Sequence, residues 1–533
     1  MEKSLARRAR WARITGIAAL RYWGDCVVRT VVGRTDHVVV IGAGLSGLAC
    51  ALYLVGAGRR VTLLERGRRP GGRMGRLDRN GFRIDTGPTV LTMPGLIDEA
   101  LHAVGTTLAE HVTLHRLDPA YHARFADGSA LAVHTDAEAM EQEVRQQVGA
   151  RDAAGYRRLR CWLTEMYEAE IGRFIGANFD SPLDMLRTRG ARADLARFTR
   201  LGGLGSLAGK VASFVDDERL QRLFTFQALY AGVSPRRARA AYGVIAYMDT
   251  VAGVYFPDGG MHTVAQAMAD AAAHAGATLH LDTTVTALET SGGRVGAVLT
   301  AGGQRITCDA VVLTPDLPVV DELLGRPHRR HLGMRWSPSA VMLHGGVPRA
   351  VTAGWPNSNH HTIDFGAAWD QTFTEIIAGG RGGRGRLMSE PSLLITRPSL
   401  TDATLAPPGQ EICYVLAPCP NLHTAPLNWG SLGPAYRDEL LGLLQRRGYT
   451  GIAEHFTGHE LVTPTDWAAQ GMAVGSPFSA AHTVTQTGPF RRGNLVPGVE
   501  NAVLAGCGTT PGVGVPTAVI SGRLAAQRIL GQG

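Results

Sequence analysis

The chain of 533 residues is 45% hydrophobic and 19% charged, an ordinary globular composition long enough to bury a large core in more than one domain. A net charge of +8 and a pI near 9.3 favour anionic surroundings, but no nucleic-acid motif is present and the 6% of aromatic residues do not interleave with the basic ones, so nucleic acid is set aside in favour of a membrane face. The seven cysteines (Cys26, Cys50, Cys161, Cys308, Cys413, Cys419, Cys507) show neither C-x-x-C nor disulfide spacing, which suits a reducing cytosol and offers no metal site.

Residues 1–36 form a basic extension in which Arg7, Arg8, Arg10, Arg13, Arg21, Arg29 and Arg34 interrupt every apolar run. Neither a membrane-spanning helix nor a secretory signal fits this pattern. Trp11, Ile14, Ile17 and Leu20 recur at helical spacing, so an interfacial amphipathic helix and a poorly ordered basic tail are both compatible with it.

A complete βαβ nucleotide-binding unit follows. Residues 38–41 are a continuous run of β-branched side chains, the pattern of a strand buried on both faces of a parallel sheet. Gly42, Gly44 and Gly47, with Ala43 and Ser46 between them, supply G-x-G-x-x-G at the strand-to-helix turn. The first glycine permits the turn, the second lets backbone approach a pyrophosphate, and the third lets helix and strand pack closely. A helix is expected over 45–55 and a second strand over 61–64. Glu65 then stands where an acid accepts adenosine ribose hydroxyls. An acid here argues against NADP and leaves NAD and FAD open.

After Arg66, the P-G-G-R group places Gly72 where backbone can pass a bulky ligand and Arg73 where a forked donor can meet phosphate or flavin oxygens. A strand through Phe82 and Ile84 runs into a tight turn, Asp85-Thr86-Gly87-Pro88. Together, directly after a dinucleotide unit, these groups point to a flavin rather than a nicotinamide site.

From 118 to 253 the pattern is largely helical. Thr135-Asp136-Ala137-Glu138 reads as a capping box, Ser181-Pro182-Leu183-Asp184 as a helix start, and Asp216 or Asp217 as the cap of a helix over 220–230 ended by Gly232. That last helix is apolar over much of its circumference, which fits core packing, the lining of a greasy substrate site, or a surface dipping into a bilayer.

Residues 254–316 return to the nucleotide fold, with an alanine-rich helix through Ala275, strands over 278–281, 284–288 and 310–313, and a hairpin at Ser291-Gly292-Gly293-Arg294. Residues 317–483 read as a substrate-domain sheet with strands over 340–344, 392–396 and 411–417 and a helix over 436–447. His360-His361 reads as a polar loop and the glycine-arginine tract 379–386 as an exposed flexible one. Residues 484–533 close the fold with a strand over 502–505, a glycine-rich turn over 506–514, and a helix over 515–530. The N-terminus of that helix, at Gly514 and Val515, would stabilise negative charge on a reduced flavin. Cys507 reads as a small buried thiol, so the flavin is expected to be held non-covalently.

Several blocks carry a family resemblance: G-A-G-L-S-G-L-A with Glu65, P-G-G-R, G-F-R-I-D-T-G-P-T-V, F-P-D-G-G-M, and the C-terminal run from P-F-R-R-G-N-L-V-P-G-V-E-N to P-T-A-V-I-S-G-R. The chain resembles the bacterial phytoene desaturases, carotenoid desaturases within the amine-oxidase-like flavoproteins. The resemblance extends from His37 to the C-terminus. It implies an α/β architecture: a Rossmann-like FAD-binding domain, a discontinuous substrate-binding sheet domain, and an inserted helical region that meets the membrane and admits a polyene. It also implies that the backbone of Val285 holds the adenine. With Gly506, the cofactor set becomes Gly42, Ala43, Gly44, Ser46, Gly47, Glu65, Arg66, Gly72, Arg73, Gly87, Pro88, Val285, Gly506, Gly514 and Val515. The implied reaction is FAD-dependent desaturation of phytoene towards neurosporene or lycopene on the cytoplasmic face of the cell membrane, with oxygen or a quinone as electron acceptor. An amine-oxidase-like reaction, a later carotenoid substrate and a flavin-bearing lipid carrier are the alternatives. Removing a hydride and a proton from adjacent carbons of a hydrocarbon needs little acid–base apparatus, and the sequence shows no convincing catalytic dyad or triad, so no catalytic acid or base is named.

Overall fold

The computed structural model describes residues 28–184, 190–326, 333–377 and 384–532. The amphipathic pattern of residues 11–20 and residues 379–383 of the glycine-arginine tract lie outside them.

Five short parallel strands form the central sheet in the order Ala502–Leu504, Ala310–Leu313, His37–Ile41, Arg60–Leu64 and Thr278–His280. Its residues alternate between two cores, as a pleated strand requires. Val38, Val40, Ala310 and Val312 face the helices Leu45–Gly56, His262–His274 and Val515–Leu530. Val39, Ile41, Val311 and Leu313 face a three-stranded antiparallel sheet (Val285–Ser291, Arg294–Thr300, Arg305–Thr307) and the helix Leu317–Leu323. From His37–Ile41 the chain moves to Arg60–Leu64 on one side and Ala310–Leu313 lies on the other, so the strand order reverses at the C-terminal end of the first strand, where α/β folds open a crevice for ligands.

A seven-stranded sheet stands apart, in the order Thr457–Val462, Ser339–Pro348, Gln410–Cys419, Leu393–Thr396, His361–Asp364, Tyr121–Arg124 and Ala130–Val133. Its last two members correct the expectation that residues from 118 are helical. Tyr121–Arg124 alternates buried and half-buried positions, pairs parallel to His361–Asp364, and turns at Asp127-Gly128 into Ala130–Val133. Helices begin only at Ala137–Gln147, followed by Ala150–Glu170.

Other local expectations change for identifiable reasons. Asp136, not Thr135, caps Ala137–Gln147 by accepting from the Glu138 and Ala139 amides, because the Thr135 hydroxyl is turned inward to accept from Arg116. Asp217 caps Glu218–Leu223, but the helix then breaks: the Thr225 hydroxyl donates to the Gln221 carbonyl and the chain tightens into a 3₁₀ turn, Phe226–Leu229. At Ser181-Pro182-Leu183-Asp184 the Asp184 carboxylate accepts from the Asp180 and Ser181 amides, and the continuation lies outside the described residues. The helix expected from Tyr436 starts earlier, as Trp429–Arg446, and accommodates Pro434 in its second turn. His361 is not a loop residue: it opens a sheet strand, and His360 stands in the bend just before it. Both are buried, their Nδ1 atoms bonded to Thr401 and Thr396, and burial pushes His361 down to about 3. No described helix is long and apolar enough to cross a membrane.

The helices Leu45–Gly56 and Val515–Leu530 cross at Gly522, where an added Cβ would stand 2.2 Å from the Ser46 carbonyl oxygen. Gly522→Val is therefore expected to separate the two helices, lower stability by about 1–3 kcal/mol and reduce flavin content, read by thermal unfolding and by absorbance of the purified protein.

Candidate active site

The turn after the first strand is shaped by what its glycines exclude. Gly42 has φ +101° and an added Cβ would meet the Thr314 hydroxyl at 2.2 Å, while Thr314 itself donates to the Ile41 carbonyl. At Gly47 an added Cβ would lie 2.0 Å from the Gly42 carbonyl oxygen, so the helix can start this close to the strand only without a side chain. Gly44 is different: its nearest neighbours, Gly71 and Gly72, are 3.9 Å from where a Cβ would be, and the space in front of it belongs to a cavity. The Glu65 carboxylate, 9% exposed, accepts from the Ala43 amide and the Gly67 amide, each at 2.8 Å, and joins this turn to the end of the second strand. Neither of the helices Leu45–Gly56 and Val515–Leu530 has a side-chain cap or an acidic residue in its first turn, and both N-termini face the same cavity. Their first N–H groups are left for an anionic ligand.

The opposite wall is built by the 506–514 turn. Ser521 ties its start to its middle, accepting from the Gly506 amide and donating to the Thr510 carbonyl. Arg491, which motif reading did not single out, is 5% exposed and spends its guanidinium on the carbonyls of Thr509, Ala480, Gln486 and Cys507. His482 fixes the far end of the turn. Its Nε2 accepts from the Val513 amide at 3.4 Å and its Nδ1 faces the Tyr242 hydroxyl at 3.1 Å, an arrangement of the neutral ring that burial enforces by lowering its pKa. An added Cβ at Gly512 would strike that ring at 2.2 Å.

Between these walls lies a cavity of about 1530 Å³, larger than the roughly 300–1,000 Å³ of usual small-molecule sites. Thirteen of the fifteen sequence-derived cofactor residues line it: Gly42, Gly44, Ser46, Glu65, Arg66, Gly72, Arg73, Gly87, Pro88, Val285, Gly506, Gly514 and Val515. Ala43 and Gly47 stand behind the wall, one with its amide taken by Glu65 and the other against Gly42. Arg66 reaches across to donate to the Gln470 carbonyl at 2.5 Å, and Arg73 stands 3.7 Å from Asp316. Gly87 lies so close to the Arg73 carbonyl that an added Cβ would be 1.7 Å from it. Asp85, expected in a tight turn, instead ends the strand Phe82–Asp85 and accepts from the Met261 and His262 amides, capping His262–His274; burial pushes its carboxyl up to about 6.

The cavity continues beyond the glycine-rich walls into an apolar compartment. Met342, Leu394, Tyr414 and Leu416 of the seven-stranded sheet form one side, and Phe174, Ile175, Phe198 and Ile245 of the helical layer the other. Two carboxyls face it that no sequence pattern marks, Glu170 and Asp249. Burial pushes Asp249 up to about 7 and Glu170 well above the usual carboxylate range. Both occur where a helix loosens to π geometry: Glu170 precedes Ile171–Ile175 and Asp249 lies within Met248–Ala252. No cluster of metal-ligating side chains occurs among the described residues.

The family described as flavin containing amine oxidoreductase matches residues 45–530. A phytoene dehydrogenase of Streptomyces griseus is 61% identical over 504 residues, covering 94% of this chain and 96% of that one. The chain belongs to the bacterial phytoene desaturases of this flavoprotein family. More distant members include the zeta-carotene-forming phytoene desaturase of Myxococcus xanthus, 33% identical over 93% of this chain and 94% of that one. The lycopene-forming phytoene desaturase of a Paracoccus species is 32% identical over 92% and 97%. Among solved structures, putrescine oxidase shares the fold at TM-score 0.57 and 14% identity, covering 93% of this chain and 99% of that one. Membership makes the chain a flavin-dependent oxidoreductase, and the uncapped helix ends, the open face of Gly44 and the size of the cavity fit a flavin dinucleotide.

Arg491→Met would leave four buried carbonyls without their donor. We expect a stability loss of at least about 3 kcal/mol and faster flavin release on dilution, followed by flavin fluorescence, with Arg491→Lys partly restoring both.

Proposed function

We propose that the chain binds FAD non-covalently and uses it to desaturate a C40 polyene, most directly phytoene towards neurosporene or lycopene, while docked on a membrane surface. The observation that carries this reading is the continuity of the cavity: the glycine-rich cradle opens directly into a long apolar compartment. When bound, the flavin supplies a two-electron acceptor, and its reoxidation calls for oxygen or a quinone. The protein's part is to hold the dinucleotide and to keep a hydrocarbon dry and aligned. Glu65 keeps its carboxylate at the cavity wall where ribose hydroxyls are held in this fold. Aromatic and branched side chains of the sheet and helical layer shape the compartment for an apolar chain.

An amine substrate fits less well. A charged amine needs a fully ionised partner, and of the two carboxyls in the apolar compartment burial drives Glu170 to its neutral form and leaves Asp249, raised to about 7, only partly ionised near neutral pH.

The mouth of the cavity supports membrane docking. Among the described residues five large apolar side chains are strongly exposed, and three of them, Leu204, Val484 and Phe490, line the cavity; a fourth, Leu183, adjoins the lining residue Pro182. Arg239, also on the lining, donates to the Leu204 carbonyl at the same rim, where a cation favours anionic lipid.

Two tests separate the components of this reading. Under anaerobic conditions, phytoene in liposomes is expected to bleach the flavin and give longer-wavelength polyenes on extraction, while putrescine leaves the flavin oxidised; the reverse result would replace the desaturase reading with an amine-oxidase one. The double variant Leu204→Ser, Phe490→Ser is expected to keep its flavin yet partition roughly 10- to 100-fold less onto anionic vesicles in a flotation assay.

A further inference from the structure

Asp249 occupies an unusual position for a carboxylic acid. It is 6% exposed, faces the apolar compartment, and has no ion pair among the described residues. Its polar partners are the Gln227 side-chain amide, at a long 3.5 Å, and the Tyr121 hydroxyl. The other titratable side chain facing it is Tyr230, which burial keeps neutral, as it does Tyr121. Arg160 on Ala150–Glu170, which bonds the carbonyl of the neighbouring Thr250, is spent on that group, the Tyr156 hydroxyl and the Thr135 carbonyl.

Asp249 also lines the cavity that the glycine-rich cradle opens into, and a series of contacts ties its partner Tyr121 to the cradle wall. Tyr121 packs on the His361 ring at 5.6 Å, His361 bonds Thr396 at 3.0 Å, and Thr396 bonds Thr89 at 3.3 Å, next to the cofactor-facing Gly87 and Pro88. A structural carboxylate in such surroundings is normally paired or saturated with donors. Asp249 is neither.

We propose that Asp249 is the catalytic base of the desaturation, the group that receives the proton lost from the polyene. The inference rests on the desaturase reading above. One allylic C–H bond would break with both of its electrons leaving, as hydride, to the oxidised flavin that the cradle would hold. On the adjacent carbon a C–H bond breaks, its electron pair closes the new C=C bond, and the proton passes to an Asp249 carboxylate oxygen. Release of that proton to water resets the side chain before the next bond is oxidised. Gln227 and Tyr121 donate to the carboxylate and hold it towards the compartment. Glu170 cannot share the task, because burial among apolar groups keeps it protonated and its Oε1 has no partner.

The test uses flavin-loaded Asp249→Asn and Asp249→Glu in phytoene-bearing liposomes. Anaerobic flavin reduction in single turnover is expected to slow roughly 100-fold or more in Asp249→Asn, with flavin content and polyene binding unchanged, and to recover in part in Asp249→Glu. In the wild type the reduction rate should rise with pH through about 7, as the carboxyl ionises, and the profile of Asp249→Asn should be flat. Infrared spectroscopy provides a readout independent of turnover: a protonated-carboxyl band that titrates near pH 7 and is missing from Asp249→Asn. A variant that reduces its flavin at the wild-type rate, or one that loses flavin or polyene binding in proportion to rate, overturns the proposal. Wild-type flavin that phytoene leaves oxidised would instead overturn the desaturase reading, and the infrared titration would still decide whether Asp249 is poised to accept a proton.

Discussion

The approach of the Gly47 backbone to the Gly42 carbonyl is the contact on which the cofactor half of the molecule depends. It sets how close the helix Leu45–Gly56 lies to the first strand, and thereby where the helix N-terminus points. Gly522 repeats the device one layer out, bringing Val515–Leu530 against Ser46. Two uncapped helix ends thus converge on one cavity. Each is a weak anion site alone; held together by contacts that admit no Cβ, they form a cradle long enough for a dinucleotide.

Around that cradle the protein uses buried polar groups as fasteners rather than as reactive groups. Glu65, Asp85, Asp316 and Arg491 all bond main-chain groups: Asp85 caps His262–His274, Asp316 accepts from the amides of Leu317 and Ala473, and Arg491 gathers four carbonyls. In low-dielectric surroundings a saturated network of this kind specifies one arrangement, because every alternative leaves a buried donor or acceptor unmet. The apolar compartment follows the opposite rule. Its walls are mostly hydrocarbon and its two carboxyls are poorly partnered, so burial raises the pKa of both, Asp249 to about 7 and Glu170 well above the usual carboxylate range.

Much of the cofactor site was legible in the sequence because it is made by local pieces of chain. The strand at 37–41, the helix after it and Glu65 are contiguous, and their geometry follows from glycine spacing and β-branched runs. The C-terminal helix was legible for the same reason, its start marked by the glycine-rich turn that ends at Gly514. Where reading failed, a distant partner had intervened. Tyr121–Arg124 became a strand through pairing with His361–Asp364, more than two hundred residues away, and Thr135 lost its capping role to Arg116. The pair His360-His361 looked polar in isolation and proved to be buried by the sheet that it helps to begin.

By itself the sequence determined that a dinucleotide fold is present, where its turns fall and which flavoprotein family the chain resembles, since those properties reside in short-range spacing and in motif identity. Only the tertiary structure decided that the cradle opens into an apolar compartment, that Leu204, Val484 and Phe490 are exposed on its lining, and that Asp249 and Glu170 face it. The physical reason is that burial is a property of packing. An aspartate in a helical stretch reads as solvated until elements separated by more than a hundred residues close over it and exclude water.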